Sequence, residues 1–162
     1  SRSYQVMTNS PTFDKQLALV EYWKQIGGTI MLPGTNRASD RFARASFYIN
    51  AIPKNDNTKQ AQASVFSVIR NASVPYGLNT QEEPNISSTR WRTVADHKQM
   101  LYFFESALSP NVFWVDLKKI NFKDGKTRRL DLGPDQSHIY AGDATSSFKI
   151  AKPFVFLGPT TR

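Results

Sequence analysis

No cysteine occurs among the 162 residues, which removes disulfides, thiolate zinc sites and an internal cysteine nucleophile. That absence leaves the redox compartment open. Histidine is scarce too: His97 and His138 are far apart, and neither has a second nitrogen or a carboxylate at metal-ligand spacing, so no metal and no cofactor is expected. No serine sits in a G-x-S-x-G elbow, and His97 reads as a turn residue rather than a member of a Ser-His-Asp triad. No apolar run approaches the ~20 residues that cross a bilayer, and the opening SRSYQVMTNS lacks the charged-then-apolar layout of a signal peptide. The expectation is a soluble chain, cytosolic unless an export signal is missing from it.

What is present is a 40% hydrophobic composition, enough to bury a core, with a length that favours one domain. The net charge of +8, from 21 Lys and Arg against 13 Asp and Glu, fits an anionic partner or merely a basic surface.

Residues 4–8, short, apolar and closed by Asn-Ser-Pro, predict a strand ending at Asn9. Ser10 as N-cap and Pro11 at the first helical position would start a helix through DKQLALVEYWKQI, with Leu17, Val20, Trp23 and Ile26 on one side and Gly27-Gly28 as its end. A second helix, ASDRFARASFYINAI, carries Phe42, Ala45, Ile49 and Ile52 at helical spacing, with Ser39 as cap and Pro53 as stop. A third, NTKQAQASVFSVIRNA, aligns Ala61, Val65, Val68 and Ile69 and ends before Val74-Pro75. From Ser87 the period becomes that of strands: SSTRWRTVAD, MLYFFES, NVFWVDL, a hairpin in INFKDGKTRRLDL signalled by Asp124-Gly125, and a closing strand in FKIAKPFVFL with Pro153 at an edge or bend. Helices followed by an antiparallel meander argue an α+β fold. YGLNTQEEPN is the best linker by composition, yet one domain is the better reading because the later strands have no helices of their own.

Three groups of residues invite a functional reading. Arg37, Arg41 and Arg44 crowd one side of the second helix, where like charges repel unless an acceptor lies opposite. Arg41, beside Phe42, is the one expected to point inward, and a buried pairing and a catalytic role both remain open for it. Lys118, Lys119, Lys123, Lys126, Arg128 and Arg129 surround Phe122 in one hairpin, as a nucleic-acid-binding or anion-binding module would require. A solvated basic face that discourages edge aggregation is preferred. Ser1 could be a self-activating terminal nucleophile, but a chain start made by processing is the simpler reading. The sequons at Asn71 and Asn85 carry no weight.

VMTNSPTFDKQL, LPGTNRASDRFARASFY and ISSTRWRTVADHKQMLYFFES, in this order, resemble the choloylglycine hydrolase family, which includes penicillin V acylases and conjugated bile salt hydrolases. The resemblance covers nearly the whole chain, and SVPYG is more like the Gram-negative acylases. It implies a linear-amide hydrolase of the N-terminal nucleophile class, built as a four-layer αββα sandwich. It implies that Asn9, the Asn of the T-N-x-P motif, helps form the oxyanion hole, and that Arg41 lies beside a terminal Cys nucleophile. Asp40 stands where the family usually has Ser. The chain has no Cys, and T-N-x-P lies deep inside family members, so residues 1–162 resemble the C-terminal portion of a single domain whose N-terminal segment supplies the nucleophile. Position therefore excludes Ser1 as the nucleophile.

The same resemblance implies no cofactor, a small-molecule amide substrate such as penicillin V, a bile salt or an N-acyl homoserine lactone, and a homo-oligomer, specifically a homotetramer. It implies no nucleic-acid or membrane partner, and a periplasmic location for the Gram-negative branch, otherwise cytoplasmic. Trp23, Tyr76 and Phe104 are expected in core or interface rather than in an acyl pocket. A catalytically inactive relative with the same fold is the remaining alternative.

Overall fold

The computed structural model describes residues 5–54, 56–82, 86–133 and 139–158. Ser1, Tyr4, Asn85, His138 and part of the YGLNTQEEPN loop lie outside them. The chain divides into two compact units, residues 1–94 and 95–162, with the division inside a strand rather than in that loop.

The first unit is helical. α1 (Phe13–Ile26) has Asp14 in its first turn and Lys24 in its last, both favourable to the helix dipole. It ends where Gly27 takes φ 143°, a conformation that suits glycine. Its start differs from expectation: the N-cap is Thr12, and Ser10 and Pro11, joined by a cis peptide, lie in the bend before it. α2 (Ala38–Ala51) is capped by Arg37 rather than Ser39, whose hydroxyl instead donates to Asp40 Oδ1 at 3.2 Å. α3 (Thr58–Asn71) begins at Asn57, whose side chain accepts from the Gln60 backbone N–H.

Phe42 and Ala43 of α2 and Phe66 and Val68 of α3 are buried. The edge of one ring meets the face of the other where Phe13 approaches Phe42, 6.1 Å between centroids, joining α1 to α2. After α3, Val74 N–H donates to Thr89 Oγ1 and Thr89 N–H donates to Val74 O, a reciprocal pair that fixes the chain before the first strand. Residues 5–8 form no strand. Their composition favours extension, but a strand exists only by pairing, and none of the described residues pairs with them.

The strands are β1 (Trp91–Asp96), β2 (Leu101–Ser106), β3 (Val112–Asp116), β4 (Arg128–Arg129), β5 (Gly142–Asp143) and β6 (Lys149–Ile150). One sheet has the order β1-β2-β3-β5, and β4 pairs with β6 in another. In the second unit β2 and β3 are antiparallel, with Phe104 opposite Phe113 and Phe103 opposite Trp114. Alternation sends these two pairs to opposite faces, so both faces of the ladder are apolar. Phe113, Val115 and Ala144 form a buried cluster, packed by Phe104, Leu130 and Phe148.

One strand was not expected, and one expectation fails. β3 pairs parallel with β5, so the sheet is not purely antiparallel. Asp124-Gly125 makes its turn, with Gly125 at φ 63°, but the following residues pair with β6 instead of folding back on residues 120–123. Asp124 holds Lys126 N and the Arg128 guanidinium, closing the loop on itself. The closing strand shrinks to β6, and residues 151–158 form none. His97 lies in the turn between β1 and β2, as expected.

Candidate active site

The residues singled out by the T-N-x-P and Arg-Phe motifs, Asn9 and Arg41, lie in the first unit. The Thr8–Pro11 bend projects Asn9 into solvent, and Gln16, in the first turn of α1, lies beneath it. Gln16 is 2% exposed, and its Nε2 donates to Thr8 Oγ1 and to Pro11 O, each at 2.8 Å. Pro11 O can only accept, which fixes the amide with nitrogen toward the bend.

Arg41 enters from the first turn of α2. Its Nε donates to Asn36 O at 3.2 Å, and its Nη2 donates to Asn9 Oδ1 at 3.5 Å, at the long end of hydrogen bonding. The two residues singled out by their motifs are thus neighbours. Guanidinium has donors only, so the Asn9 oxygen must face it, and the Asn9 NH2 is turned away.

The loop that receives Arg41 is held from below. Arg44 is 8% exposed, and its Nη1 donates to Pro33 O at 2.7 Å and Thr35 O at 2.9 Å, while Nε donates to Asn71 O at 3.4 Å. The buried arginine of this helix is therefore Arg44, not Arg41, which is only half-buried. Three carbonyls compensate a charge that would otherwise be costly to bury. Asp40 is engaged by hydroxyls, accepting from Thr35 Oγ1 at 2.5 Å and from Ser39 Oγ.

Gln16 escaped the sequence reading, and Arg44 entered it only as one of three crowded arginines. The signal for Gln16 was available: it lies three residues after Phe13 and four before Val20, an amide on an inward helix face. Nothing in the helix itself distinguishes Arg44 from Arg41, because the carbonyls that hold it come from the loop before α2 and the end of α3.

The basic segment is not a hairpin, and two of its cations are committed. Lys119 Nζ lies 2.8 Å from Asp143 Oδ2 and 3.6 Å from Asp116 Oδ2, and Arg128 pairs with Asp124. Phe122 is exposed, whereas Phe104 is half-buried and stacks on Phe113 at 5.3 Å. Trp23 is half-buried, but Tyr76 is exposed, with Arg90 over its ring.

The profile of linear amide C–N hydrolases, choloylglycine hydrolase family, matches residues 1–132. The chain is 59% identical over 172 aligned positions to penicillin V acylase from Pectobacterium atrosepticum, covering 98% of this chain and 46% of that protein. The structure of penicillin V acylase from Agrobacterium tumefaciens is similar with a TM-score of 0.88 at 68% identity, over 98% of this chain and 50% of the other. A variant of conjugated bile acid hydrolase from Clostridium perfringens shares the fold, with a TM-score of 0.60 at 23% identity over 74% of this chain and 43% of that one. The chain spans about half the length of the relatives it matches.

Proposed function

This chain belongs to the choloylglycine hydrolase family of linear amide C–N hydrolases, and we propose that it supplies the oxyanion donor and the guiding arginine of a penicillin V acylase. In this reading residues 1–162 are the C-terminal portion of one domain, and the N-terminal segment of the same protein brings a cysteine thiolate. The thiolate attacks the amide carbonyl, the terminal amine carries the proton to the leaving nitrogen, and water hydrolyses the acyl-thioester. Asn9 Nδ2–H donates to the oxygen as it gains charge, and Arg41 favours the thiolate.

The observation that carries this reading is the contact between Arg41 Nη2 and Asn9 Oδ1. It occupies the amide oxygen with a group that cannot accept and leaves the amide hydrogens for an incoming oxyanion. A donor placed where charge develops contributes ~3 kcal/mol to the transition state, so Asn9→Ala in the full-length protein should lower kcat on penicillin V roughly a hundredfold or more. Near-normal turnover in that variant would sink the assignment. The substrate is taken from the acylases at 59% and 68% identity, and competition between penicillin V and a conjugated bile salt tests it.

A further inference from the structure

We propose that Gln16 is a positioning residue for Asn9, its one buried amide stapling both sides of the bend that presents the oxyanion donor. The inference rests on the reading of Asn9 given above. Gln16 Nε2 has two hydrogens, and both are spent within the bend: one on Thr8 Oγ1, just before Asn9, the other on Pro11 O, two residues after it. Among the described residues, no backbone-to-backbone hydrogen bond outside helices and strands reaches residues 8–11. The Gln16 side chain therefore fixes a stretch of chain that the backbone does not fix for itself.

Its surroundings argue for geometry rather than helix packing. Gln16 is 2% exposed, on the α1 face that also carries Phe13 and Val20, where an apolar residue would bury no polar group. From this point the donor has two independent supports. Gln16 sets where the Asn9 backbone lies, and Arg41 sets which way its amide faces. Release of the first would let the amide drift by about an ångström, enough to cost on the order of a hundredfold in rate.

The test uses Gln16→Met in the full-length protein, which keeps length and approximate volume but has no donor, with penicillin V hydrolysis as the readout. The expected result is a kcat roughly ten- to a hundredfold lower with KM near wild type. In the Asn9→Ala background the same change should cost nothing further, because the residue it positions is already gone. A wild-type kcat for Gln16→Met, or a loss that multiplies with that of Asn9→Ala, overturns the proposal. If Gln16→Met does not fold, Thr8→Val removes one of the two acceptors alone, and the same pattern at smaller size is expected. A folded Thr8→Val whose loss persists in full beside Asn9→Ala overturns it equally. Asn9→Ala at near-normal turnover brings down the oxyanion reading itself, whereas an impaired Asn9→Ala beside a normal Gln16→Met removes only the role of Gln16.

Discussion

Asn9 and Arg41 have different amounts of freedom, although they touch. Asn9 is exposed at the tip of its bend, whereas Arg41 is half-buried and anchored through Nε to Asn36 O. A lysine in place of Arg41 would keep the charge but could not hold Asn36 O and Asn9 Oδ1 in one rigid plane. Arg41→Lys should therefore lower kcat roughly ten- to a hundredfold on penicillin V in the full-length protein. Activity equal to wild type would reduce Arg41 to a charge or a scaffold. Both residues stood out in the sequence through their motifs, because T-N-x-P and the Arg-Phe pair are short and local, and they are neighbours in the fold. Gln16 did not, and Arg44 did so only within a crowded group, because their partners lie outside their own helical turns: Gln16 reaches back to Thr8, and Arg44 reaches Pro33 and Asn71.

Helices and strands differ in how far their causes lie along the chain. The three helices matched the expected stretches closely, since 3.6-residue periodicity and the Gly27 and Pro53 stops act within a turn or two. β1, β2 and β3 were equally legible, because adjacent runs pair across short turns. The misread elements are those whose partners are remote, such as β4, which pairs with β6, and β5, which joins β3 in parallel.

A titrating group sits at that parallel junction. Asp143 accepts from Lys119 Nζ at 2.8 Å and from both the hydroxyl and N–H of Thr145. The Lys119 hydrogen bond first, then those from Thr145, hold the Asp143 carboxyl well below its ordinary range, and the same partnership raises Lys119. A depressed carboxyl stabilises the fold fully above its unfolded value of ~3.9, and the gain disappears as pH falls through the lower folded value. The lysine contributes fully below ~10.4 and loses its share as pH rises beyond that. Melting temperature followed from pH 7 to pH 2 should therefore fall less steeply in Asp143→Asn than in wild type. Parallel curves would mean that this ion pair does not link the junction to acid stability.

Across the whole chain, large apolar side chains remain in water. Leu157 is 99% exposed, Ile30 93% and Met7 90%, and Leu17 and Ile26 of α1 are exposed as well. A groove of about 390 Å³ lined by Leu17, Val20, Phe42 and Phe47 runs beside α1 and α2. Such surface is uncommon on an independent soluble protein, and it fits a chain that spans about half of its relatives. If the proposal of a partner N-terminal segment holds, residues 1–162 produced alone should bind a hydrophobic dye and self-associate, and co-production with that segment should suppress both. A monomeric, dye-silent chain would refute the half-domain reading. The hydrogen bonds described for Thr8, Asn9, Gln16, Arg41 and Arg44 all close within residues 8–71 of the first unit, so the proposed donor corner can be probed by substitutions confined to that stretch.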